Sequence, residues 1–547
     1  MRQCHLRAGM MDMLAASALN DLVTLMVQSV AANTEGRHQD SLQYLDQALA
    51  LEPDFFPAHS SRGDLLHAMG RYDEALAAYD QCLLRSPRLE HVLLARNNTV
   101  SALLADCDQQ LSRRPHDVAV LLRRGLMLIR QEQYALALAN VDQLLSLAPV
   151  NLDALNQRGN ILLELNRHEE ALLCYDRILA LEAGQASAWF NRGNVLRKMN
   201  CLNQALWCYQ EALSVQPDLA AAQVAQSHSL LMLGDFAAGW PLHEARWGIP
   251  DVQMHAIKSQ APRWLGQTAL SGKTVLLWAE QGLGDSLQFV RYIPLVAETA
   301  ARVIVCVPPP LAQLLESLLP PALLTIITND KALPPHDLHC PLMSLPLALS
   351  WRLATVPADA PYLFADAALQ AQWAQRLGPR AGSRLRAGLV WRGQRYSVAN
   401  RGRDMALSDL LPLAGDDVEM ISVQQQRLAA DAEAHAAWPQ LREFGAELTD
   451  MAQTAALIGN LDVVISVDTA IVHLAGALGI PALLMLRYEG EWRWGQPGEQ
   501  GAPSLWYPTV RVFRQEKRAD WQPVVNRVRA CLADWQRRPP GLQDQRR

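Results

Sequence analysis

The stretch VVISVDTAIVHLAGALGIPALLML, Val463 to Leu486, decides how the second part of the chain is read. Its uncharged apolar run from Thr469 to Leu486 approaches the length of a membrane span. The Gly479-Ile480-Pro481 break and the strand-like ending argue instead for helix, turn and strand. On that reading Asp468 closes one strand and Thr469 opens a helix. His473 follows four residues later on the same helical face.

The same alternation extends outward from this stretch. Beyond Pro262 the runs TVLLWA, RVIVCV, LLTIIT, RAGLVW, VEMISV, DVVISV and ALLML are mostly separated by amphipathic segments, the pattern of an α/β region with parallel sheets. The linker-like segment ADAALQAQWAQRLGPRAGSRLR divides the region into two doubly wound parts, residues 262–375 and 384–540. A ligand site is expected in the cleft between them, at the carboxyl ends of the strands. A second strand-to-helix turn, AEQGLGDSLQF at Ala279–Phe289, places Gly282 and Gly284 ahead of Asp285. Such a turn normally offers backbone N–H groups to an anion, so a carboxylate there calls for another role.

Upstream, the chain is periodic. Pro53 and Pro87 are 34 residues apart, as are Pro115 and Pro149, and Pro217 lies two such periods beyond Pro149. In the same frame Gly63, Gly125, Gly159 and Gly193 recur, as do Ala75, Ala137, Ala171 and Ala205, with Tyr79, Tyr175 and Tyr209 beside them. Small residues let paired helices approach closely and proline stops the second helix, so each unit is a helix pair stacked on its neighbours. The interval from Pro87 to Pro115 is six residues short, which predicts a local irregularity.

Composition narrows the function classes. A chain of 547 residues exceeds one core, so two to four domains are expected. With 49 Lys+Arg against 55 Asp+Glu and no long basic run, nucleic acid is an improbable partner. Nine cysteines without a CxxC pair fit a reduced compartment, and the apolar stretch after Arg2 and Arg7 is broken by Asp12, so the cytoplasm is the expected location and no transmembrane segment is expected. SGKT at Ser271–Thr274 is not a phosphate loop, because Gln267 holds the required glycine position and a strand follows it. Leu287 replaces the third glycine of a dinucleotide fingerprint, and neither HExxH nor GxSxG occurs.

The repeats, over roughly Gly36 to Trp247, resemble the tetratricopeptide repeat family. SVDTAIVHLAGALGIP together with EQGLGDSLQFVRYIP resembles the heptosyltransferase-like glycosyltransferases of the GT-B class, in proteins where such repeats precede the transferase. WPLHEARW, PRWLGQ, DLHCPLMSLPLAL, GLVWRG and WYPTVRVFRQ extend that resemblance over nearly the whole chain. It implies an all-α tetratricopeptide-repeat superhelix, residues 1–247, followed by an α/β GT-B region of two Rossmann-like halves, residues 262–375 on the acceptor side and 384–540 on the nucleotide-sugar side.

The resemblance also implies roles. Asp285 corresponds to the proposed general base, in the turn that Gly282 and Gly284 bring close to the reacting sugar, and Asp468, Thr469 and His473 correspond to the element that binds the donor's diphosphate. Arg401 and Arg403, with Arg392 as a further candidate, supply positive charge to the leaving diphosphate, and neither metal nor cofactor is called for beyond the nucleotide-sugar co-substrate. Helix capping by Asp468 and Thr469, a core position for His473 and a cap role for Asp285 are the structural alternatives. LRYEGEWRW departs from the family pattern by adding Arg487 and Glu491 near the donor site. The expected function is sugar transfer from a nucleotide sugar to a protein or glycan acceptor, with a protein or peptide partner in the repeat groove. An adaptor with a silent transferase domain and a lipopolysaccharide-type heptosyltransferase are the alternatives.

Overall fold

The computed structural model describes residues 20–86, 89–254, 256–350, 356–380, 382, 384–393, 402–415 and 417–537. The chain divides into two compact units, one of residues 1–195 and 211–217, the other of residues 196–210 and 218–547. An all-α array of helix pairs is followed by an α/β region with parallel sheets.

In the first unit the period in the sequence becomes helix pairs such as Phe56–Ala68 with Tyr72–Arg85, and Leu152–Glu164 with His168–Leu181. The repeat glycines sit where the partner helix presses in: a Cβ on Gly63 would lie 2.5 Å from the Tyr79 ring, and one on Gly159 would lie 2.6 Å from Tyr175. Each tyrosine hydroxyl then donates across the pair, Tyr79 to Asp64 and Tyr175 to Asn160, both at 2.7 Å. The turns within intact pairs are made at left-handed positions, Gly70 at φ 73° and Asn166 at φ 59°.

The short interval has a simple outcome. Instead of a pair it is one helix, Glu90–Arg113, because the deletion removes the turn and Thr99–Gln110 holds no Gly, Pro or Asn to stop the chain. A ladder not read from the sequence runs through this unit. Arg62, Arg96, Arg124, Arg158 and Arg192 each pair with an aspartate sixteen residues earlier, at 2.6–2.9 Å.

The second unit holds two sheets. Strands β1 (Thr274–Trp278), β2 (Arg302–Val307), β3 (Leu324–Thr328) and β4 (Leu338–Pro341) form a parallel sheet of order β3-β2-β1-β4. Strands β5 (Leu385–Val390), β6 (Val418–Ser422), β7 (Arg442–Glu443), β8 (Val463–Val467), β9 (Ala482–Leu486), β10 (Ala502–Pro503) and β11 (Val510–Arg514) form the other, of order β10-β11-β9-β8-β5-β6-β7. It is parallel except for β10 against β11. Order reverses between β1 and β4 and again between β5 and β8, which opens a crevice at the carboxyl end of each sheet.

All seven runs expected to be strands are strands. β4 escaped notice because Pro341 ends it, and β11 because Arg511 and Arg514 interrupt its apolar pattern. The linker-like segment contains the helix Ala367–Leu377, capped by Asp366, and Trp373 from it donates to Gln453 at 2.9 Å. The boundary expected at residue 247 falls inside this unit. Helices Ala220–Leu233 and Phe236–His243 bring in Trp240, which meets Phe289, Trp492 and Trp506 edge-on with ring centroids 5.5–6.3 Å apart. Asn200 also donates to the Tyr488 carbonyl at 3.2 Å. Among the described residues no helix is long and apolar enough to cross a membrane.

Candidate functional site

The turn after β8 is built from its cap outward. Thr469 Oγ1 accepts from the Ile471 N–H at 3.3 Å and so starts the helix Ala470–Ala477, with Ser466 Oγ 3.1 Å away. Asp468 is buried at the strand end, and burial together with Glu491 raises its pKa against the pull of Arg493 and Arg403. His473 is buried one turn into the helix, its Nδ1 3.0 Å from the Tyr507 hydroxyl and its ring stacked on Trp494 at 5.1 Å. Burial, then Arg493, Arg291 and Arg403, holds the imidazole well below its ordinary pKa and therefore neutral.

The turn after β1 comes to meet it. A Cβ on Gly284 would stand 3.0 Å from His473 Cδ2 and 3.5 Å from the Ala470 Cα. Any side chain at Gly284 would press on the opposing helix, so the two turns are packed against each other. Gly282 is the cap of the helix Leu283–Phe289, and Asp285 Oδ2 accepts from the Gly282 N–H at 3.1 Å. The other carboxylate oxygen, Oδ1, accepts from Arg493 Nη2. Asp285 keeps 18% of its side-chain surface exposed, so it is the carboxylate of this turn that a ligand can reach.

Glu280, five residues earlier, is not reachable. It is 1% exposed and receives both Nε and Nη2 of Arg246, at 2.8 and 3.0 Å, as well as the Met343 N–H at 3.1 Å. Arg246 also donates to Glu244 at 2.6 Å and to Ser344 at 2.7 Å. This network ties the turn after β1 to the turn after β4.

The arginines separate into three groups. Arg401 lies outside the described residues. Arg403 is half-buried on the loop before residue 406, and its charge acts on both Asp468 and His473. Arg392 pairs with Asp431 at 2.6 Å. The added charges Arg487 and Glu491 pair with each other at 3.3 Å.

Arg493 was not singled out from the sequence. The only signal was its place in EWRW, where the family pattern changes. It sits in the 3-10 turn Trp492–Trp494 after β9, with Nε 2.9 Å from Gln288 Oε1 and Nη2 on Asp285. Burial works against its charge, but Asp285, Glu491 and Asp468 outweigh that and keep the guanidinium ionised. A cavity of about 280 Å³ lies beside it, lined in part by Phe236, Trp492, Trp494, Trp506 and Arg514. Among the described residues no group of three His, Cys, Asp or Glu side chains is placed to hold a metal ion.

Comparison with known proteins follows the same division. Residues 32–107, 122–188 and 158–231 match tetratricopeptide repeat families, and residues 414–500 match the family described as glycosyltransferase family 9 (heptosyltransferase). The chain thus carries tetratricopeptide repeats and, over residues 414–500, a segment similar to glycosyltransferase family 9. The family 9 match includes Asp468, Thr469, His473 and Arg493 but not Asp285. Protein FlbA of Caulobacter vibrioides is 28% identical over 343 residues, a match covering 58% of this chain and 56% of the relative's length. Among solved structures, a tetratricopeptide repeat protein from Parabacteroides merdae is 16% identical with a TM-score of 0.27, covering 44% of this chain and 95% of that one. MamA from Desulfovibrio magneticus is likewise 16% identical, with a TM-score of 0.21, covering 36% of this chain and 97% of that one.

Proposed function

We propose that the protein is a cytoplasmic glycosyltransferase that moves a sugar from a nucleotide-sugar donor to a protein or glycan acceptor recruited by its repeats. The observation that carries this reading is the apposition of the two turns, with Gly284 against Ala470 and His473, at the carboxyl ends of the two sheets.

In this reading the donor's phosphates lie at the start of the helix Ala470–Ala477, where the positive end of the helix dipole and the charge of Arg403 favour an anion. Neutral His473 supplies an imidazole beside them. The acceptor hydroxyl approaches from the side of Asp285. As its oxygen bonds to the anomeric carbon and the bond from that carbon to the donor phosphate breaks, Asp285 takes the hydroxyl proton and the nucleotide leaves with the bonding electrons. A single displacement of this kind inverts the anomeric configuration. No resident cofactor has a part in it. Incubation with a panel of nucleotide sugars and the natural acceptor, read as nucleotide released and sugar transferred, tests the reading; no release with any donor contradicts it.

One observation favours the adaptor alternative. Arg493 occupies the carboxylate that would serve as base.

A further inference from the structure

We propose that Arg493 is a donor-responsive latch on Asp285: with the site empty its guanidinium holds the carboxylate, and on donor binding it passes to the donor's phosphate and leaves Asp285 free to take a proton. The inference rests on the transferase reading above and adds the order of events at the same site.

Three features of the geometry point to exchange in place of a fixed structural pair. The first is local anchoring. Trp492 and Trp494 on either side are buried, the guanidinium lies over the Trp492 ring at 4.7 Å, and Nε is held by Gln288 at 2.9 Å. The terminal nitrogens can therefore change partner while the base of the group stays in place. The second is charge. Asp285, Asp468 and Glu491 all act on Arg493, and Glu491 is already matched by Arg487. An anionic donor entering among these carboxylates needs a cation released to it, and a phosphate offers a guanidinium the same two-oxygen fork that a carboxylate does. The third is openness. The Arg493 and Asp285 side chains keep 11% and 18% of their surface exposed, against 2% and 1% in the Arg246–Glu280 pair.

If Asp285 and the donor compete for one guanidinium, removing the competitor must tighten phosphate binding, an outcome that a merely structural Arg493 does not produce. The test is calorimetric titration of the full chain with UDP, GDP, ADP and CMP as separate probes, using wild type, Asp285→Asn, Arg493→Gln and the double variant. The nucleotide that wild type binds should bind Asp285→Asn several-fold more tightly and Arg493→Gln at least tenfold more weakly. In the double variant the Asp285 change should bring no gain. Arg493→Lys, which keeps the charge but loses the fork, should bind with intermediate affinity, and it replaces Arg493→Gln in the cycle if the latter does not fold. Equal affinity of Asp285→Asn and wild type overturns the latch. So does an equal gain from Asp285→Asn with and without Arg493, which is simple relief of repulsion. If wild type binds none of the four nucleotides, the transferase reading itself fails, and the latch with it.

Discussion

Two carboxylates five residues apart in the turn after β1 are both held by arginine, and they are held very differently. Glu280 and Arg246 are 1% and 2% exposed; Glu280 also takes the Met343 N–H, and Arg246 also donates to Glu244 and Ser344. Asp285 and Arg493 lie at the cleft with part of each surface open. A closed network of this kind serves assembly, since it locks the helix Phe236–His243 and the turn after it onto the first sheet. An open pair can exchange partners. The same chemical interaction thus marks structure in one place and a candidate site in the other, and exposure separates the two.

The comparison is broken most severely on the closed side. Arg246→Ala leaves Glu280 buried without its cation, which costs about 3–5 kcal/mol. The unfolding transition of the second unit in urea should move accordingly. A chain beginning at Gly248, which loses Arg246 and Trp240 together, should be insoluble where one beginning at Ala186 is soluble.

The second unit also carries buried neutral histidines. His228 is pushed down to about 4 by burial and by Arg197, and His243 and His473 lie well below the ordinary value for the same first reason, burial. A group whose folded pKa is depressed binds its proton more readily when unfolded, so stability is full above about pH 6.5 and falls as the pH drops towards 4. His228 alone accounts for about 3 kcal/mol over that window. Denaturation midpoints at pH 7, 6 and 5 should decline in that order, and His228→Gln should flatten the slope.

A smaller effect is expected where the two turns touch. Gly284→Ala places a methyl 3.0 Å from the His473 ring, which must give way by a few tenths of an ångström. About 1–2 kcal/mol of destabilisation is expected, with weaker donor binding. Asp142→Ala in the first unit removes one rung of the arginine ladder, whose aspartate is 50% exposed, and should cost less than about 1 kcal/mol. A double-mutant cycle with Arg158 would measure it directly.

How far the sequence reaches follows from the range of each interaction. The repeat glycines and tyrosines were legible because their spacing is local and recurs, and the strands β1 and β8 because each is a short, mostly apolar, uncharged run. The turns carrying Asp285 and Asp468 were legible as strand-to-helix junctions for the same reason. The outcome of the six-residue deletion was not: an irregularity was foreseen, but a single 24-residue helix depends on the absence of a turn residue. Arg493 was missed because its partner lies 208 residues away and its place in EWRW says nothing of what it pairs with. The contact of Gly284 with Ala470 and His473 was not legible, because that helix lies far along the sequence.

The central claim, that the turn at Gly282–Asp285 is the acceptor-side half of an active site, is tested most directly by Asp285→Asn. Asparagine keeps the shape and can still accept from the Gly282 N–H, so melting behaviour should stay close to that of wild type. It cannot take a proton from the acceptor, so turnover, followed as nucleotide released in the presence of acceptor, should fall by about 10²–10⁴ while donor affinity does not weaken. A variant that retains most of its turnover contradicts the account.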